Sequence, residues 1–299
     1  MNVFHPKMIA ETFASTDDSL ALGIKDDKGN WNLKGQKDRL ISLNGEALQV
    51  IGKVFSDSLS YPVLPNIHSE SLLKVLGKFA RIKKRIRNLG NDGYCISSMW
   101  NETTSRKDGT IAEYPNKETR SPADMGGLIL NGPHLSVGNP FFKTPLPMCR
   151  HNLDWTCIDL EQIPDNFVPR AKYEQVCSDT AYVKRQIVCR WDKCSFDQHW
   201  RVFYREMVGT DSERTLTGAL YPPGVSCINT NNAIATSRYD SLMTLVCSFP
   251  SIPMDGYVRQ LGKGHLLPDL MSNLPLVDYG ERRTAAFVRG LCLNCLTVA

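Results

Sequence analysis

The stretch that most limits what this chain can fold into runs from His199 to Val225 and reads HWRVFYREMVGTDSERTLTGALYPPGV. From Trp200 to Arg205 the side chains alternate: Trp200, Val202 and Tyr204 point one way, and Arg201, Phe203 and Arg205 the other. A period of two, rich in aromatic and β-branched residues, predicts a strand. Gly209-Thr210-Asp211-Ser212 is a turn cluster, and Leu216 to Tyr221 predicts a second strand. Pro222-Pro223-Gly224 ends it, because proline has no N–H to give to a ladder. A hairpin is therefore expected, with Arg201, Arg205 and Arg214 on or beside its faces. Strand arginines are planar donors suited to phosphate or to a guanine edge. They serve equally as partners for Glu206, Asp211 and Glu213, and the pattern alone leaves both readings open.

The second constraint is a basic, amphipathic run. Ser69 is a cap residue, and Leu72, Val75, Leu76, Phe79, Ile82 and Ile86 recur at helical spacing, which predicts one helix from Ser69 to Asn88. A second stripe carries Lys74, Lys78, Arg81 and Arg85, with Lys84 and Arg87 beside it and no acid between Ser71 and Asn91. Like charges at i, i+4 repel by a few tenths of a kcal/mol, so a solvated face normally mixes signs. An uncompensated stripe suits contact with DNA phosphate, which positions a protein without reading sequence.

The order Arg-Glu-Met, Glu-Arg-Thr and Tyr-Pro-Pro-Gly between Tyr204 and Gly224 resembles a segment of large adenine-N6 DNA methyltransferases. These are the fused restriction–modification enzymes of type IIG and related methylases of phage-defence systems. Asp255-Gly256-Tyr257-Val258-Arg259, Gly264-His265 and Leu274-Pro275 fit the same resemblance. In such enzymes this segment follows the methylase core and lies in the region that recognises the DNA target. The resemblance implies double-stranded DNA as a partner, alongside a methyltransferase catalytic domain or subunit. It also implies that S-adenosylmethionine and the flipped adenine belong to that associated domain, leaving this chain with no cofactor of its own.

Composition narrows the rest. No apolar run approaches the ~18 residues of a membrane span, and the N-terminus lacks a signal-peptide pattern. A cytoplasmic, non-membrane protein is expected. The net charge of +4 permits a polyanionic partner without demanding one. Ten cysteines scattered through a chain of this length read as reduced thiols. The close pairs Cys189/Cys194 and Cys292/Cys295 do not by themselves compose the four-ligand set of structural zinc.

Along the remaining chain, Leu40 to Phe55 predicts a helix, which the Pro62 and Pro65 region then breaks. Cys95 to Trp100 predicts a strand, joined through an Asp108-Gly109 hairpin to Thr110-Ile111-Ala112, with Arg106 and Lys107 near the tip. Ser121 to Gly127 reads as a connector between lobes. Leu128–Leu130, Trp155–Leu160, Val183–Trp191 and Val225–Ile228 read as strands, Tyr239–Phe249 and Arg282–Cys295 as helices, and Asn229–Asn232 as a polar turn. Asn139-Pro140-Phe141-Phe142 resembles the methylase tetrapeptide that holds a flipped adenine. It has Phe141 where the motif has proline, and no glycine-rich strand–turn–helix precedes it, so a structural loop is favoured, with Lys143 available to a phosphate. No HExxH, GxSxG or Walker pattern occurs.

These readings together describe an α+β protein: residues 1–125 form a mixed helical lobe carrying the basic helix, and residues 126–299 form a target-recognition-like lobe with a mainly antiparallel sheet flanked by helices. The expected DNA contacts are Lys74, Lys78, Arg81, Lys84, Arg85, Arg106, Lys107, Lys143, Arg190, Arg201, Arg205 and Arg214, with no catalytic or metal-binding residue. The alternatives are a protein–protein scaffold in a defence complex, or a divergent methyltransferase acting at residues 139–142.

Overall fold

The computed structural model describes residues 6–21, 23, 25–26, 28–55, 64–209, 212–277, 282–283 and 285–286. The fold is α+β. In chain order, the helices are α1 (Pro6–Ala14), α2 (Gly45–Phe55), α3 (Glu70–Phe79), α4 (Glu102–Lys107), α5 (Asp179–Lys184), α6 (Tyr239–Ser248), α7 (Ile252–Gln260) and α8 (Pro268–Ser272). The strands are β1 (Tyr94–Ser97), β2 (Ile111–Glu113), β3 (Ile129–Leu130), β4 (Lys143–Pro145), β5 (Trp155–Cys157), β6 (Tyr173–Gln175), β7 (Arg201–Arg205), β8 (Gly218–Tyr221), β9 (Ser226–Cys227) and β10 (Asn231–Thr236). The chain forms two compact units, one of Met1–Lys83 with Gln260–Gly262, the other of Lys84–Arg259 with Lys263–Ala299. The Ser121–Gly127 connector lies within the second. The Pro62 break, part of the 209–212 turn and most of the Arg282–Cys295 segment lie outside the described residues.

In the first unit, α2 and α3 bury Ala47, Ile51 and Leu73 against each other, with Ile41, Phe55 and Ile67 packed alongside. Ser69 caps α3 by accepting a hydrogen bond from the Leu72 N–H at 3.2 Å. The helix is shorter than its apolar period predicts. It stops at Phe79, and the backbone from Lys84 onward pairs with another segment: Arg85 bridges Pro275, the Ile86 N–H donates to the Leu274 carbonyl, and the Leu276 N–H to the Lys84 carbonyl. Ile82 and Ile86 therefore do not extend the α3 stripe; Ile86 is buried within the second unit. The run Arg81, Lys83, Lys84, Arg85 also carries like charges that a continuing helix would stack on one another.

The second unit is built on a four-stranded antiparallel sheet in the order β1-β10-β7-β8. The expected hairpin is present: Arg201 pairs with Tyr221, Val202 with Leu220, Phe203 with Ala219 and Tyr204 with Gly218. One face places Phe203, Ala219, Tyr221, Ala233 and Ala235 against Leu128, Leu130, Phe196 and Cys227. The alanines of β10 leave room for the Phe203 and Tyr221 rings, which meet edge-on at 5.1 Å. On the other face Tyr204 meets Phe249, at the end of α6, with ring centroids 6.4 Å apart. Gly218 is required here: a Cβ at this position would stand 2.7 Å from the Phe203 carbonyl oxygen and 3.1 Å from the Phe249 ring.

Three local readings are corrected. Asp108-Gly109 is not a hairpin tip. Asn101 accepts hydrogen bonds from the Thr103 and Thr104 N–H groups, which starts α4, and Gly109, at φ +70°, supplies the left-handed residue that ends it. β1 then pairs with β10 and β2 with β6. Val183–Trp191 is not a strand either, because Ser178 caps α5 and the chain beyond it turns so that Val188 bridges Ser195. Val225–Ile228 does contain a strand, β9, but it pairs in parallel with β3 and not with the main sheet, which the strand reading alone suggests it would continue. Among the described residues no helix is long and apolar enough to cross a membrane.

Candidate nucleic-acid interface

The basic candidates divide into an exposed group and an inward-facing group. The exposed group begins on α3. Burial of Leu73, Leu76 and Phe79 turns the opposite side of the helix outward, and with it Lys74 and Lys78; Arg81 follows just past the helix end. These three line a groove of about 630 Å³ beside α2, whose Lys53 joins them, together with Glu46 and Glu70. Lys74 shares the field of Asp38, whose carboxylate accepts from the Ser71 N–H and hydroxyl at 2.9 and 2.7 Å. Among the described residues the Lys78 and Arg81 side chains enter no ion pair and no hydrogen bond. The groove carries four cations against two carboxylates, so it is net positive. Sequence reasoning missed Lys53, which was read only as part of the predicted Leu40–Phe55 helix.

The inward-facing group corrects the sequence reading most clearly. Arg201 is fully buried in the sheet. Its Nε donates to the His199 carbonyl at 2.9 Å, and Nη2 donates to the Asp197 and Pro222 carbonyls at 3.2 and 3.4 Å. The guanidinium lies 5.4 and 5.1 Å from the Phe196 and Phe203 ring centres. Burial lowers its pKa to about 10, which leaves it charged at neutral pH but closed to any nucleic acid. Arg205 lies largely inside the fold, and burial lowers its pKa as well. Arg214 reaches Asp255, Nε to Oδ2 at 3.6 Å, and donates through Nη2 to the Pro250 carbonyl at 2.6 Å. Arg85 is half-buried and bonds Tyr257. Asn231 and Asn232, read as a polar turn, open β10 instead and are buried away from any base edge.

The remaining candidates are scattered over the second unit. Arg106 faces Glu113 at 3.7 Å, on the last turn of α4 beside the exposed Lys107. Lys143 sits 5.2 Å from the centre of the Phe142 ring. Lys84 and Arg190 are exposed. In the Asn139 loop, the Asn139 side chain accepts from the Phe141 N–H at 2.9 Å, and Phe141 is buried edge-on against Phe167 at 5.6 Å. That asparagine is engaged by its own loop, which is the local turn its side chain favours.

The segments that carry the methyltransferase resemblance fasten to one another. Asp255, on α7, accepts from the Thr215 and Leu216 N–H groups at 2.7 Å each. Arg259, one turn along, donates to the Ser212 and Glu213 carbonyls at 2.8 Å and to the Thr215 hydroxyl at 2.9 Å. In the sequence Asp255 and Arg259 stood out only as part of the segment that fits the resemblance, and nothing local showed that they grip the 212–216 backbone. No cluster of three or more metal-ligating side chains occurs among the described residues; Cys292 and Cys295 lie outside them. No protein-family model matches the chain, and no curated protein matches its sequence.

Proposed function

We propose that this chain is the DNA target-recognition module of an adenine-N6 DNA methyltransferase or fused restriction–modification enzyme of a phage-defence system. The observation that carries the reading is the α2–α3 groove, where Lys53, Lys74, Lys78 and Arg81 gather and the Lys78 and Arg81 side chains have no acid of their own. A cation left unpaired on a helix, as Lys78 is, or just past its end, as Arg81 is, is poised for a phosphate, and such contacts set the register of a protein on duplex DNA. The resemblance between Tyr204 and Pro275 supplies the enzyme class. Methyl transfer, S-adenosylmethionine and the extruded adenine belong to a catalytic domain or subunit that this module serves.

The test is duplex binding across a salt series, comparing the chain with a Lys74→Ala, Lys78→Ala, Arg81→Ala variant. Each phosphate contact removed is expected to reduce the slope of log affinity against log salt by ~0.9. Affinity should fall for every duplex sequence. Unchanged affinity and slope would overturn the reading.

A further inference from the structure

Two cysteines far apart in the sequence meet in the second unit, whereas the α2–α3 groove belongs to the first. Cys95 lies on β1, an edge strand of the main sheet, and pairs with Ala235 across the ladder. Its side chain packs against the buried cluster that contains Ala235, Phe203 and Cys189. Cys95 and Cys189 are both free thiols, and the Cys189 thiol donates a hydrogen bond to the Cys95 sulfur. Contact between two sulfurs is the geometric precondition for a disulfide.

The turn that carries Cys189 holds it in place. The Cys189 N–H donates to the Cys194 carbonyl at 2.9 Å, and the Cys189 carbonyl accepts from the Lys193 N–H at 3.0 Å. Val188 bridges Ser195 on the outer side of the same turn. Cys194 is close along the chain, but its thiol donates to the Asp192 carbonyl at 3.8 Å. The partner that the fold offers Cys189 is therefore Cys95, and not its neighbour in sequence.

The two sulfurs differ in access and in charge. Cys95 is half-buried and stands on the wall of an opening of about 280 Å³, together with Asn91, Arg190, Asp269 and Ser272. Cys189 is fully buried behind it. The hydrogen bond from Cys189 holds the Cys95 pKa below the ordinary thiol value; burial opposes this, and the Arg190 charge adds to it. The same contact, with burial, pushes the Cys189 thiol up. Of the two, Cys95 is the one that ionises. At Cys149, Cys227 and Cys247 burial raises the pKa instead. A thiolate that solvent can reach, with a second thiol behind it, is the arrangement that reacts with peroxides and then closes on itself.

We infer that Cys95 and Cys189 form an oxidative modification site for hydrogen peroxide, in which Cys95 takes the oxygen and Cys189 closes a disulfide on it. In the first step the Cys95 thiolate attacks one peroxide oxygen. The S–O bond forms, the O–O bond breaks, and the departing hydroxide takes up the proton that Cys95 released, leaving water. The sulfur loses two electrons and the peroxide gains them. In the second step the Cys189 sulfur attacks the Cys95 sulfenic acid; the S–S bond forms, the S–O bond breaks, and the Cys189 proton leaves with the hydroxyl as a second water. The crosslink ties the edge strand β1 to the turn that carries Arg190.

The test treats the fully reduced chain with hydrogen peroxide, alkylates the thiols that remain and maps disulfides by mass spectrometry. A Cys95–Cys189 linkage is expected as the main product, and dithiothreitol should return both thiols. Cys194→Ser should form the same linkage. Arg190→Gln, at an exposed position, should slow its formation roughly threefold, because less of Cys95 is thiolate. In Cys189→Ser the sulfenic acid has no thiol to meet, so dimedone should label Cys95. The parent chain decides by itself if that buried variant does not fold. Absence of the Cys95–Cys189 linkage, or a disulfide from Cys95 to Cys194 in its place, overturns the proposal.

Discussion

At the scale of single residues, the chain uses several polar side chains to hold its interior rather than to meet a ligand. His134 is one. Its Nδ1 accepts from the Asn131 N–H at 2.8 Å, which fixes the proton on Nε2, where it donates to the Arg170 carbonyl at 2.9 Å. The ring is buried and meets Trp155 edge-on at 4.8 Å. Burial lowers its pKa from 6.5 to about 4, against the smaller opposing effect of its two backbone partners. A proton on Nδ1 would confront the Asn131 N–H with a second donor. Between these two pKa values the unfolded chain binds the proton and the folded chain does not, so stability falls as pH drops from 6.5 toward 4. The expected loss is about 1.4 kcal/mol per pH unit in that window. Denaturant midpoints of the chain and of a His134→Gln variant should diverge there, the variant losing less; parallel curves would show that the ring does not titrate in this way.

At the scale of elements, the fastening of α7 to the segment before β8 is the most consequential contact. Asp255 gathers two backbone N–H groups, Arg214 and Arg259 around one carboxylate with little access to solvent. Removing it leaves those donors facing an apolar interior. Asp255→Ala is expected to destabilise the chain by roughly 3 kcal/mol, while Asp255→Asn keeps an acceptor for the N–H groups and costs less. Thermal or denaturant unfolding of the two variants checks the order. Equal losses would mean that the hydrogen bonds, and not the charge, are irrelevant to the fastening. The Pro222-Pro223-Gly224 turn belongs to the same scale. Gly224 has φ +90°, and a Cβ there would meet the Gly126 Cα at 2.8 Å, so the turn admits no larger residue without movement.

At the scale of the whole molecule, the exposed cations are divided between the two units. Lys74, Lys78 and Arg81 belong to the first, and Lys84, Arg106, Lys107 and Arg190 to the second. If the first unit supplies phosphate contacts alone, Lys78→Ala with Arg81→Ala should weaken a preferred duplex and a scrambled one by the same factor. Competition between the two at fixed salt measures this ratio. A changed ratio would place base reading on the α2–α3 groove instead.

The β7–β8 hairpin was legible because alternation and a proline stop act locally and agree. Ser69 as a cap and the α6 helix were legible for the same reason. The length of α3 was not, since Ile82 and Ile86 keep a helical period that backbone pairing with Leu274–Leu276 overrides. The Asp108-Gly109 signal fits both a hairpin and a helix end, and the cap at Asn101 decided between them. For the basic residues, charge and spacing by themselves determined that α3 carries a positive face. Which arginines reach solvent was decided only by tertiary structure. Three backbone carbonyls converge on Arg201 and offset the loss of its hydration, an arrangement that no local pattern encodes.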